Sequence, residues 1–278
     1  MTTNPRASRA GSSTSNTRRI AFRVLAFVFG AGALGGLFGI GIVIGWFDKD
    51  SGGIHRVHDL GFGILYGIVL ATAFFSMILR PAARPSSYWQ VVAASLAVTV
   101  AALVSADPRY LIFAAAVAVA AVILLALHPA RDEVLHPGAN PSALMGAFVL
   151  AGAIPLVWFG VTTARLQRDG LAIDPHVKMD HWATMASMAI GLLLVGLLAS
   201  ARLRGWRLTA WCAGLGAAVY GLASIVFSQF PGTDVPYPGS EGIGWGLVAL
   251  IGGAAFVAVA EWEARTSSQP SPVDRLRD

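Results

Sequence analysis

The stretch DPHVKMDHW, from Asp174 to Trp182, places two histidines and two aspartates at the start of a long apolar run. A second stretch, HRVHD from His55 to Asp59, opens another apolar run far upstream. The pattern His-x3-Asp therefore occurs twice, as His55/Asp59 and His176/Asp180. Ionisable clusters at membrane depth are costly and usually functional, and although the cost is smaller at the edge of a span, these two stretches predict a site.

The composition predicts a membrane protein. Of the 278 residues, 55% are hydrophobic and 13% are charged, and the mean hydropathy is +0.65. A soluble domain carries roughly a quarter charged residues. The apolar residues fall into about eight runs near the ~20 residues that cross a bilayer as a helix. We therefore predict an all-α polytopic protein with a disordered tail at 1–17, a transmembrane bundle at 18–262 and a cytoplasmic tail at 263–278.

The first predicted span extends to about Phe47 and is rich in glycine. Its small-xxx-small pairs are Gly32/Gly36, Gly35/Gly39 and Gly41/Gly45. Such pairs let helices approach closely, which favours packing inside the bundle and leaves a homodimer face as the alternative.

The positive charges predict the orientation of the chain. The net charge of +5 comes from residues in short loops between predicted spans, a distribution that argues against nucleic acid as a partner. Placing the N-terminus in the cytoplasm puts most arginines on the inner side, as expected of a multi-pass plasma-membrane protein with both termini cytoplasmic. Both His-x3-Asp stretches then lie on the outer side, where the second and sixth spans begin. These spans hold equivalent places in two halves, which suggests two four-helix repeats.

The residue types point to a metal. Cys212 is the only cysteine, so an ion has to be held by His, Asp or Glu. Imidazole and carboxylate ligands suit a divalent metal such as Zn²⁺ or Fe²⁺, with Mn²⁺ as a further choice. The predicted ligands are His55, His58, Asp59, His176, Asp180 and His181.

Helix signals predict how these ligands are arranged. Asp174-Pro175 is a helix start, which would place His176 and Asp180 on one face. His181 would point about 100° away unless the helix begins or bends there. Asp174 and Glu241 are predicted to orient ligating imidazoles from outside the ligand set.

We interpret the chain as an integral-membrane metalloprotein with a site at the outer membrane interface. Asp180 and His181 are the predicted acid–base groups of a hydrolase or oxidoreductase acting on a lipid-like or small-molecule substrate, and membrane lipid is the expected partner. The spread of His and Asp over several helices is loosely similar to the integral-membrane zinc hydrolases of the ceramidase and adiponectin-receptor type. Their ligand pattern does not map onto this chain residue by residue.

Three other interpretations stay open. The first is a transporter or channel-like protein without catalysis, although the middles of the predicted spans hold almost no ionisable residues, whereas transporters usually need polar groups there. The second is a redox protein that binds haem through axial histidines. In the third, the clusters are hydrated helix ends that cap the backbone. The loop from His128 to His136 is predicted to be a solvated loop on the inner side.

Overall fold

The computed structural model describes residues 5–48, 53–171, 173–227 and 242–267. In this part of the chain the regular structure is helical and no strand occurs, which confirms the all-α prediction. Among the described residues, seven helices are long and apolar enough to cross a membrane. The protein is therefore an all-α, multi-pass membrane protein.

The described helices follow one another along the chain, and most of the connections between them are short. The N-terminal helix α1 covers Pro5–Gly35, which includes much of the segment predicted as a disordered tail, and α2 covers Gly41–Phe47. Helix α3 is continuous but changes geometry: Gly53–Phe62 is α-helical, Gly63–Ala71 is π-helical and Thr72–Leu79 is α-helical again. The remaining helices are α4 (Pro85–Val104), α5 (Tyr110–Leu127), α6 (Arg131–Leu135), α7 (Ala143–Asp169), α8 (Pro175–Lys178), α9 (His181–Ser200), α10 (Trp206–Val226) and α11 (Ile243–Ser267).

The first predicted span is divided between α1 and α2. The chain leaves helical geometry after Gly35, and Phe38 adopts a positive φ of 60°. Gly39 then lies against α3, where an added Cβ would come within 2.9 Å of the backbone nitrogen of Gly67. This close approach supports the predicted internal packing role of the glycines. A Cβ on Gly32 would meet nothing within 4 Å, and the homodimer alternative stays a prediction.

The spans that begin with the histidines form the centre of the bundle. In the most apolar part of α3, 67% of the residues are buried, and in α9 72% are buried. The corresponding value is only 22% for both α7 and α11, which are peripheral. Helix α3 packs on α10, and α9 packs on α4, so each half of the chain contributes to the core of the other. This exchange fits two four-helix repeats, although the repeat itself stays a prediction.

Candidate metal centre

The segment before α9 turns twice within a few residues. Asp174 accepts a hydrogen bond from the backbone N–H of His176 at 2.9 Å and so caps the four-residue helix α8. Asp180 then adopts a left-handed conformation with φ of 55°, and α9 begins at His181. His176 and Asp180 therefore do not share a helix face, contrary to the expectation from the Asp-Pro signal. Because α9 begins at His181, this residue meets the condition under which it was expected to belong to the site.

Four imidazoles meet at this end of the bundle, which we call the histidine end. His55 and His58 come from the first turns of α3, His176 from α8 and His181 from α9. Each ring offers one nitrogen, and these four atoms lie within 4.8 Å of one another. The Nδ1 atoms of His58 and His181 are 3.2 Å apart.

The rings of this four-histidine cluster are in direct contact. His55 stacks on His176 with 4.5 Å between ring centroids. His58 is fully buried and His181 is 7% exposed, whereas His55 and His176 are partly exposed. The cluster therefore has a buried inner pair and an outer pair that faces the surface.

Two buried nitrogens of the cluster have no hydrogen-bond partner among the described residues. They are Nε2 of His58 and Nε2 of His176, and both atoms are buried. In His176, Nδ1 lies 2.9 Å from an Asp174 oxygen and donates a hydrogen bond to it. This hydrogen bond selects the tautomer that leaves a lone pair on Nε2. A buried polar atom without a partner costs free energy, and a metal ion at this point would remove that cost.

Asp174 is held as a carboxylate. Burial alone would raise its pKa, but hydrogen bonds from the backbone and ring of His176 and from Trp182 lower the pKa below its usual value. The Trp182 ring also packs edge-on against His58, with centroids 4.7 Å apart. Asp174 and Trp182 therefore hold two of the imidazoles in place from outside the four-histidine cluster.

A second polar group, which we call the acid–arginine cluster, consists of Asp107, Arg109, Gln167 and Asp180. Arg109 lies 2.9 Å from Asp107 and 3.0 Å from Asp180. Gln167 donates to Asp107 at 3.0 Å, to Asp180 at 3.3 Å and to the carbonyl of Val177 at 2.9 Å. These contacts connect the loop before α5 and the end of α7 to the segment that carries two of the histidines.

The two carboxyls of this cluster differ in acidity. The bonds from Arg109 lower the pKa of Asp107 to about 2. Burial, together with the neighbouring Asp107, raises the pKa of Asp180 to about 6. The sequence analysis did not identify Asp107, Arg109 or Gln167 as members of a site. Asp107-Pro108-Arg109 is typical of a turn, and only the tertiary packing brings Gln167 to it.

The structure brings together the four predicted histidines but not the predicted aspartates. The group of ligand atoms includes neither Asp59 nor Asp180, and Asp180 points to Arg109 instead. Glu241 lies outside the described residues. His128, expected in a solvated loop, is only 1% exposed and packs edge-on against Phe22, so that expectation is wrong for this residue.

Beneath the histidines lies a buried set of hydroxyl groups. The Tyr66 and Tyr110 hydroxyls are 3.0 Å apart. Tyr110 also lies 3.2 Å from the Thr184 hydroxyl and 3.0 Å from that of Ser187. Thr184 and Ser187 follow His181 along α9, so these hydroxyls extend the polar interior inward from the cluster.

The fold and this site define a class: a multi-pass all-α membrane protein with a four-histidine cluster compatible with a metal ion. No family model, curated protein or solved structure matches the chain.

Proposed function

We propose that the protein is an integral-membrane metalloprotein that holds one divalent transition metal between His55, His58, His176 and His181. The observation that carries the proposal is the convergence of four imidazole nitrogens within 4.8 Å, two of the rings having a buried nitrogen without a partner. Four ligands at ~2.1 Å from one tetrahedral ion would lie about 3.4 Å apart. The four nitrogens lie up to 4.8 Å apart, so the rings need to move closer by about an ångström to reach that spacing.

The donor set favours particular metals. Imidazole suits Zn²⁺ and Fe²⁺, and it also suits copper and nickel, whereas Mn²⁺ prefers carboxylate and water. Four neutral rings leave the charge of the ion uncompensated, and Asp174, bonded to His176, supplies a nearby negative charge. Zinc and iron are therefore the first candidates.

We further propose that the metal at this site is catalytic. A catalytic metal keeps one position open for water or substrate, whereas four protein ligands close the tetrahedron. His55 is partly exposed and belongs to the outer pair, so it is the ligand expected to dissociate and open the fourth position. The substrate would be a lipid-like molecule at the membrane surface, on the outer side if the charge distribution sets the orientation as predicted. The predicted proton-transfer role of Asp180 and His181 stays a prediction.

Metal analysis of the purified protein tests the proposal. We expect about one zinc or iron per chain after purification in detergent with trace metals supplied. His58→Ala and His176→Ala should lose the ion. His136→Ala is the matched control, because His136 is exposed in the loop after α6. Metal-free wild-type protein, or equal loss in the control variant, would contradict the proposal.

The ring contacts favour an ion over haem. A macrocycle has to lie between its two axial histidines, but His55 and His176 stack directly, and the other centroid distances in the cluster run from 5.0 to 6.5 Å. An absorption spectrum of the same preparation tests this choice, and a Soret band that follows the histidines would reverse it.

Ion transport is the second candidate function, because polar groups continue into the bundle. Gln90 donates to the Val69 carbonyl at 2.6 Å, and closer to the opposite end the Ser76 and Ser87 hydroxyls are 2.6 Å apart. We rank transport second because these groups are neutral, and an ion inside a membrane usually requires charged partners. Metal uptake into vesicles containing the protein, followed with an enclosed indicator, would raise transport to first place if His58→Ala abolished it.

A further inference from the structure

The start of α9, which carries His181, is capped by a side chain from another helix. The residue before a helix usually accepts a hydrogen bond from the N–H of the second or third helical residue. Asp180 holds that place, but its side chain makes no such bond and lies against Arg109 instead. The N–H of Ala183, the third residue of α9, donates to Oε1 of Gln167 at 3.4 Å. Gln167 lies in the last turn of α7, so α7 supplies the cap of α9.

The other end of the same amide holds α8, which carries His176. Nε2 of Gln167 donates to the carbonyl of Val177 at 2.9 Å, and Val177 directly follows His176. One side chain therefore bonds the backbone on both sides of the turn between the two histidines. Because an amide group is planar and rigid, the two bonds fix how far α8 lies from the first turn of α9.

The neighbours of this amide determine its orientation. Nε2 also lies 3.0 Å from Asp107 and 3.3 Å from Asp180, and an ionised carboxyl can only accept a hydrogen bond. Asp107 is held in turn by the backbone N–H and the guanidinium of Arg109. Gln167 is 4% exposed, and α7 packs on α9. The amide is therefore held in one orientation, with its nitrogen towards α8 and its oxygen towards α9.

We propose that Gln167 is a positioning residue for the metal. By holding α8 and α9 at a fixed spacing, it keeps the His176 and His181 rings together before the ion binds. This proposal rests on the metal proposed above for the four-histidine cluster, and Gln167 itself does not touch that ion. Ligands that are already in place cost less to order on binding, so the affinity is higher. Residues that hold ligands from outside the ligand set typically change metal affinity by about 10- to 100-fold.

Gln167→Met tests the proposal, with Gln90→Met as the matched control. Methionine is similar in length to glutamine and makes neither of the two bonds. Gln90 is also buried and also donates to a backbone carbonyl, that of Val69, but it lies in α4 nearer the opposite end of the bundle. Both variants should lower the thermal midpoint of the metal-free protein. Only Gln167→Met should weaken zinc binding, by roughly 10-fold in competition with a chromophoric chelator.

The absorption spectrum of cobalt-loaded protein separates positioning from a general loss of stability. Four-coordinate Co²⁺ absorbs more strongly in the visible range than six-coordinate Co²⁺, so the bands report whether the ligands stay in place. We expect strong bands for the wild type and Gln90→Met, and weaker bands for Gln167→Met. Gln167→Asn is a second variant that keeps a polar amide. It is one methylene shorter and cannot reach both Val177 and Ala183, so its bands should weaken as well.

The results that contradict the two proposals differ. Zinc affinity within about twofold of the wild type in both Gln167 variants would overturn the positioning role. An equal loss of affinity in Gln90→Met would also overturn it, because affinity would then follow stability alone. If the wild-type protein binds neither zinc nor cobalt, the metal proposal itself fails, and the positioning role fails with it.

Discussion

Replacing Asp174 by asparagine tests whether the histidines form a metal site or only a packed cluster. One oxygen of Asp174 accepts hydrogen bonds at 2.9 Å from both the backbone N–H and the ring N–H of His176. An asparagine oxygen accepts the same two bonds, and asparagine caps helices as well as aspartate does. The variant therefore keeps the cap of α8 and the hydrogen bond to the imidazole, and it removes the negative charge behind that ring.

The expected effect is on metal affinity rather than on folding. Losing a carboxylate that orients a ligating histidine usually costs 10- to 100-fold in affinity, or about 1.4 to 2.8 kcal/mol. Competition with a chromophoric zinc chelator in detergent at pH 7.5 measures the change. Asp169→Asn is the control, because Asp169 pairs with Arg168 at the exposed end of α7.

Two results would refute this reasoning. If Asp174→Asn bound zinc within twofold of the wild type while His176→Ala lost it, the charge of Asp174 would have no part in binding. If Asp174→Asn lowered the melting temperature of metal-free protein as much as His176→Ala does, the residue would act through folding alone.

Three further predictions concern stability. Gln167→Leu should lower the free energy of unfolding by about 1–3 kcal/mol, because it removes the hydrogen bonds that Gln167 donates to the acid–arginine cluster and takes the Gln167 oxygen away from the buried backbone N–H of Ala183; an unchanged thermal midpoint would contradict this. Burial lowers the pKa of His128 from 6.5 to about 4, so between these pH values the imidazole is protonated in the unfolded chain but not in the folded protein. The free energy of unfolding should therefore fall by up to about 3 kcal/mol from pH 6.5 to 4. That loss should be smaller in His128→Asn, and parallel pH curves for the two proteins would refute it. Gly39→Ala should lower the melting temperature, because its Cβ would lie 2.9 Å from the Gly67 nitrogen. Gly35→Ala, whose Cβ would meet nothing within 4 Å, should leave the melting temperature unchanged. Equal shifts in the two variants would show that the close approach of Gly39 to α3 does not determine stability.

The fold class follows from composition, and the meeting of the histidines follows in part from spacing. Two polar stretches at the starts of equivalent spans predict one common end of the bundle, and the four histidines do meet there. The positions of the aspartate side chains could not be predicted in the same way. A left-handed residue at position 180 rotates its side chain out of the expected helix face, and sequence patterns give little warning of such a residue outside glycine. The partner it finds, Arg109, belongs to a turn far away in the chain, and only the tertiary packing brings the two together.

The π-helical segment Gly63–Ala71 has a consequence for how the chain tolerates insertions and deletions. A π-helix takes more residues per turn than an α-helix, so it holds extra residues without interrupting the rod. Removing one residue here to restore α-geometry would rotate everything before it by about 100° relative to everything after it. His55 and His58 would then turn away from their partners, while the buried lower part of α3 kept its place. The angular position of half the cluster is thus set by the number of residues in a stretch that contributes no side chain to it.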